Sequence, residues 1–131
     1  MTRQRDERGE TMVQTVIVAP ALFLLIMGVI QVALIAHAQN VAEAAAQEGA
    51  TAARQFNATS TDGHVKASSA LAVLGPRMLT DRKVIVDRTT TTATVTVTGR
   101  ALTIVPGFSP RIVETSSGPV ERYVAPERDV P

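Results

Sequence analysis

Two amides, Gln14 and Gln31, are the side chains whose type and setting most constrain the chemistry of this sequence. They stand within residues 11–42, a run of 32 residues in which His37 is the only group that can ionise. In hydrocarbon an amide seeks a partner, so each is a candidate for an interhelical hydrogen bond worth about 0.6–2 kcal/mol. Gln14, near the start of the run, can equally be solvated at a membrane interface. Catalytic constellations do not occur. His37 and His64 are too far apart for a short metal motif, and there is no H-E-x-x-H, no serine elbow and no glycine loop to cradle phosphate. Cysteine is absent, which excludes a disulfide framework and Cys-based metal sites. Asn57-Ala58-Thr59 fits a glycosylation acceptor, but so short a pattern reads as plain loop. The expectation is a protein with no enzymatic activity, metal or cofactor.

The elements that position those amides follow from the run itself. Residues 16–36 contain thirteen Val, Ile, Leu or Phe residues with Gln31, Pro20 and Gly28 as exceptions. At about −0.3 to −0.6 kcal/mol each, the apolar residues contribute on the order of −4 to −8 kcal/mol to membrane insertion, enough to outweigh the exceptions. A bilayer core about 30 Å thick needs roughly 20 helical residues, and the run supplies them. The 45% hydrophobic content is concentrated at one end, and aromatic residues are only 3%, so a soluble core that could bury this helix is not evident. Arg3, Arg5 and Arg8 precede the span, whereas only Arg54 lies within about 20 residues after it, which predicts a cytoplasmic N-terminus and an extracytoplasmic body. The net charge of +1 comes from interspersed acids and bases, with no cationic footprint for nucleic acid.

Beyond the span the helical signal continues. Residues 37–56 are rich in Ala, Gln, Glu and Arg and lack Pro, so one long helix is expected over residues 10–56, its membrane part at about 13–36 and its Ala-rich part at 37–56. Pro20 removes a bond to the carbonyl of Val16 and is expected to kink it. Ala38, Ala42, Ala46, Ala50 and Ala53 recur every three or four residues, with Ala45, Gly49 and Ala52 beside them. Such a stripe lets helix backbones approach closely, which points to packing against partner helices, and a mid-helix Gly49, costing about 1 kcal/mol relative to Ala, favours that reading over mere filler. Residues 57–63 break the chain, and Asp62 is a candidate cap for a short helix over residues 64–74, closed by Gly75-Pro76. Period two then appears in residues 83–87 and 92–98, with Thr92, Thr94, Thr96 and Thr98 on one face and Ala93, Val95 and Val97 on the other. These predict an antiparallel pair. Residues 101–105 are expected to continue the second strand after a bend at Gly99, residues 111–115 and 120–124 to be edge strands separated by residues 116–119, and residues 126–131 to be a disordered tail. The fold class is α+β: a long N-terminal transmembrane helix extending outside the membrane, then a small extracytoplasmic domain over residues 57–125 with a short helix and a small antiparallel sheet.

The string from Arg8 to Phe56 resembles a known family. Arg8-Gly9, a short polar stretch, an apolar helix containing Pro20, His37-Ala38-Gln39, and Ala44-Ala45-Ala46-Gln47-Glu48-Gly49 followed by Ala52-Ala53-Arg54 are similar to TadE-like proteins of tight-adherence pilus systems. Gly118-Pro119-Val120-Glu121-Arg122 resembles the family's closing strand more loosely. The resemblance implies a pseudopilin or minor pilin that assists a type IV-like pilus or related secretion apparatus. It also implies a charged leader, residues 1–9, removed by a membrane-embedded aspartyl prepilin peptidase between Gly9 and Glu10. Its implied partners are the membrane, other pilin-like proteins, membrane components of the assembly machinery and that peptidase. One position departs from the pattern: pilin-like proteins usually carry glutamate at the fifth residue after the cut, where Gln14 stands. An amide avoids the cost of a buried carboxylate but forms no ion pair with a neighbour's new terminal amine. A place in the filament and a role in assembly alone both stay open.

Two rival readings use the same residues. Ala36-His37-Ala38 before Gln39 fits a secretory cleavage site, although signal-peptide apolar cores run about 7 to 15 residues and this run exceeds 20. A single-pass anchor displaying a small β-rich binding module unrelated to pili shares the topology and differs at the Gly9 junction and the Ala-rich extension.

Overall fold

A computed structural model of the chain describes the backbone of residues 3–127 and the side chains of residues 8–127. The first residues of the leader and residues 128–131 of the tail lie outside the described residues. Two helices, α1 (Arg3–Arg54) and α2 (Ser60–Leu74), precede three strands, β1 (Leu79–Arg88), β2 (Thr92–Ala101) and β3 (Arg111–Pro119). The class is α+β, as the sequence predicts.

At about 1.5 Å per residue, the 52 residues of α1 extend roughly 78 Å. The helix begins upstream of the expected start because Arg, Gln and Glu around residues 3–10 are good helix formers, and it passes through Pro20 without ending. Its C-terminal carbonyls have defined partners: Arg88 Nε donates to Ala53 O at 2.8 Å and Glu121 N to Arg54 O at 2.8 Å. Asn57 then reverses the chain with φ of 59°.

Thr59, rather than Asp62, is the N-cap of α2, so the helix starts four residues earlier than expected. Asp62 takes part as the third helical residue of a capping box. Its carboxylate accepts from Thr59 N at 2.6 Å and Thr59 Oγ1 at 2.8 Å, while its own N–H donates to Thr59 Oγ1 at 3.3 Å.

The strands form one antiparallel sheet in the order β1-β2-β3. Val84 and Val86 of β1 stand opposite Val97 and Val95 of β2, and Gly99 of β2 stands opposite Ile112 of β3. Alternation along β2 buries Ala93, Val95 and Val97 while the threonines between them stay partly or fully exposed, the expected division of faces. Three strand expectations are corrected. β2 runs straight through Gly99 to Ala101, and residues 102–105 leave the sheet, the Leu102 N–H turning to Met78 O at 3.1 Å. Residues 116–119, expected as a break, belong to β3. Residues 120–124 form no strand, because Val120 N and Glu121 N are taken by Thr91 O and Arg54 O. A one-residue irregularity between Thr80 and Lys83 carries Asp81 at φ of 49°.

The outer half of α1 and α2 cover the valine face of the sheet, and the core between them is built from small residues. Ala38, Ala42, Ala45, Ala46, Ala50 and Ala53 are 2% exposed or less, and Val95 and Val97 are the largest fully buried side chains. With so little side-chain volume, burial requires backbones to approach one another. They do so where α1 crosses α2: a Cβ on Gly49 would stand 2.8 Å from Ala67 Cβ and 2.9 Å from Gly63 O, and one on Gly63 would meet Ala53 Cβ at 2.8 Å and Gly49 O at 3.0 Å.

Gly49→Ala should therefore lose about 1–3 kcal/mol by overpacking, despite regaining about 1 kcal/mol of helix propensity. Gly28→Ala, where nothing lies within 4 Å of the added carbon, should not lower the melting temperature. Circular dichroism in detergent compares the two. The capping box has a pH signature. The Thr59 backbone N–H first, then its hydroxyl, hold the Asp62 carboxyl below the ordinary aspartate range, with Arg88 adding to the effect and slight desolvation opposing it. A carboxyl whose folded value is lowered contributes stability that is complete above the unfolded value, about 3.9, and is lost as pH falls through the folded one. The melting temperature of Asp62→Asn should lie below that of the parent at neutral pH, and the gap should close in strong acid.

Candidate functional site

The only element long and apolar enough to cross a membrane among the described residues is α1. Its most apolar 18-residue stretch is just 6% buried, which separates it from the core helix of a soluble protein. From Met12 to Ile30 its large apolar side chains, Val16, Ile17, Leu22, Phe23, Leu24, Leu25 and Val29 among them, are exposed, with only Met27 half-buried. Gly9 and Glu10 lie at the charged end of this stretch, exposed, with nothing within 4 Å of the position a Gly9 side chain would occupy. Gln14 and Pro20 are also exposed on it, and Thr15 bonds back to Thr11 O at 2.9 Å. Junction, Gln14 and Pro20 thus share one bare helix.

Gln31 does not. It is 4% exposed, the one buried polar side chain among the described residues, and its partners come from this chain rather than from another helix. Its Oε1 accepts from Ile104 N at 2.9 Å and from Thr103 Oγ1 at 3.3 Å, and its Nε2 donates to Leu102 O at 3.3 Å. The loop between β2 and β3 therefore closes over α1 at residue 31. Further along, Ile35 packs against the core.

The stripe expected to meet partner helices is likewise occupied from within. Ala38, Ala42, Ala46, Gly49, Ala50 and Ala53 are all buried in the domain's own core, against α2 and the sheet. Close packing occurs at these positions, but its partner is intramolecular. Helix periodicity shows which side of α1 is small, and the covering surface comes from residues far away in sequence. His37 and His64 are both exposed, on different helices. Among the described residues no group of three or more His, Cys, Asp or Glu side chains gathers where it could hold a metal ion.

Residues 9–51 match the family model of TadE-like proteins. The match covers 43 of 131 residues (9 through 51), all of them in α1, and begins at the junction glycine. It takes in the bare apolar stretch and the Ala-rich stripe. Residues 118–122, whose likeness to the family is looser, lie outside it. Neither a curated protein nor a solved structure matches the chain.

The residues that sequence reading missed here are Leu102, Thr103 and Ile104. A Thr flanked by apolar residues carries no sign that its backbone serves a glutamine on another element. Gln31→Leu tests the contact: it leaves the Ile104 N–H without its acceptor and should cost the folded domain about 1–3 kcal/mol, although leucine suits a membrane helix better. The readout is a lower melting temperature in detergent with membrane insertion retained.

Proposed function

We propose that this chain is a single-pass membrane protein of pseudopilin or minor-pilin type, supporting assembly of a tight-adherence, type IV-like pilus or a related secretion apparatus at the cell envelope. The observation that carries the reading is the coincidence of the TadE-like match with a helix that is solvent-exposed over residues 11–30 except at Met27. Those 20 residues extend about 30 Å, the thickness of a bilayer core. The anchor's N-terminus faces the cytoplasm, following the arginines before it, and the α2–β1–β2–β3 domain stands outside.

The mechanism is physical. A prepilin peptidase trims the chain between Gly9 and Glu10, and Gly9 suits that step for two reasons. A helical glycine holds its conformation about 1 kcal/mol less well than alanine, so the segment opens more easily, and the missing Cβ lets a protease approach the extended backbone. After trimming, the bare face of α1 meets other pilin-like proteins and membrane components of the assembly machinery. Gln14 provides an amide at the fifth residue of the mature chain for hydrogen bonding without burying a charge. Because the Ala stripe is already covered, lateral contacts fall on residues 11–30 and on the outside of the domain.

Expression of the full chain in a peptidase-competent host, followed by intact mass and N-terminal sequencing, tests this directly. The mature protein should begin at Glu10, and Gly9→Leu should keep residues 1–9 while melting like the parent. A mature start at Gln39, or an uncut chain in the competent host, would count against the reading.

A further inference from the structure

We infer that the loop between β2 and β3 is a second membrane contact: its apolar tip lies in the interfacial layer of the leaflet from which α1 emerges. This rests on the reading of residues 11–30 as the span. Position comes first. The hydrogen bonds that Gln31 donates to Leu102 O and accepts from Thr103 Oγ1 and Ile104 N fix the loop beside α1 where its bare apolar stretch ends, so the loop is the part of the domain nearest the bilayer. The opposite end, with the α1 C-terminus, Arg88 and Glu121, is more than twenty helical residues away.

Composition points to the same environment. Residues 101–110, ALTIVPGFSP, carry no charge. Leu102, Ile104 and Phe108 are 36%, 37% and 50% exposed, unusual for a loop whose neighbours are water and polar turn residues. The tip is also shaped to present them. Phe108 N donates to Val105 O at 3.3 Å, with Pro106 and Gly107 between them and Gly107 at φ of +79°, the geometry of a type II turn. Proline fixes the first central residue, and glycine adopts the positive φ at the second without strain, so Phe108 projects from a stiff tip.

Charge supplies an independent argument for lipid. Arg100 and Arg111 face each other across the β2–β3 register at the root of the loop, and both are exposed. Asp81 lies 3.7 Å from Arg100, and Arg77, also exposed, adjoins Met78, whose carbonyl takes the Leu102 N–H. An apolar tip below a collar of guanidinium groups matches the layering of a bilayer surface, acyl chains beneath phosphate. The two contacts would fix the domain's height and tilt on its helix.

The chain contains no tryptophan, so single Trp substitutions report local environment without background. Phe108→Trp reads the loop, Phe23→Trp the span and Tyr123→Trp the far end of the domain, each in the full chain reconstituted into phosphatidylcholine–phosphatidylglycerol vesicles with or without a mixture of lipids brominated near the headgroup and lipids brominated deep in the acyl chain. Phe108→Trp should emit to the blue and lose most of its intensity in brominated vesicles, Phe23→Trp should also be quenched, and Tyr123→Trp should not. Quenching at position 23 with none at 108 would overturn the loop contact and leave the anchor standing. A blue-shifted but unquenched Trp at 108 would mean that protein, such as a second copy, covers the tip, and would overturn it too. No quenching at 23 would remove the anchor reading itself.

Discussion

One helix with two kinds of surface is the constraint on which the rest of this structure depends. Along α1 the same backbone geometry first presents large apolar side chains outward, from Met12 to Ile30, and then a stripe of alanines inward, from Ala38 to Ala53. A lipid environment would accept the first set, because hydrocarbon needs no close packing partner. The second set has too little volume to hold a domain by side-chain burial alone, and so it forces close approach. Gly49 and Gly63 are where that requirement is most severe, with each backbone touching the other helix. A larger residue at either position would move α2, and with α2 the valine face of the sheet.

Gln31 stands where the bare stretch of α1 gives way to the packed one and shows how the change is managed. An amide in an apolar run is costly unless satisfied, and here three groups of one loop satisfy it. The two backbone groups among them would otherwise be orphans beside an apolar helix, whereas the Thr103 hydroxyl also has Val105 O at 2.9 Å. The pairing therefore solves two desolvation problems at once and ties the sheet to the helix where the bare stretch of α1 ends. At the other end the helix terminus is closed by groups distant in sequence, Arg88 and Glu121, so both limits of the packed half of α1 are set by the chain that returns to it.

Much of this was legible in the sequence where the signal is local. The apolar run, the Thr/Val alternation of β2 and the glycine within the Ala stripe each state a preference that the fold obeys. What sequence could not convey was pairing. The partner of Gln31 lies 71 residues away, and Gly49 meets Gly63 only because α2 folds back. Strand ends failed for the same reason: residues 101–105 and 120–124 have strand-like composition, but Leu102 and Glu121 have their N–H groups claimed by Met78 and Arg54. Asp62 was recognised as a capping residue from its type, and its place in the box was set by Thr59, which offers both a backbone N–H and a hydroxyl. At Gly9 the sequence motif makes no demand on distant residues, and the structure leaves the position exposed.

The burial of the Ala stripe changes what a partner can recognise. A small-residue stripe on a free helix would be a general adhesive for other helices, and α1 would then associate through the same face inside and outside the membrane. With that face enclosed, the surfaces that remain differ in kind: bare apolar helix with Gln14 over residues 11–30, the threonine face of the sheet where Thr96 and Thr115 lie 3.2 Å apart, and the two sheet edges. In the proposed membrane protein, contacts within the bilayer would be made by shape and by one amide, and contacts outside it by a polar sheet. The two classes of contact can then vary independently, because the helix that joins them carries no exposed stripe through which one could dictate the geometry of the other.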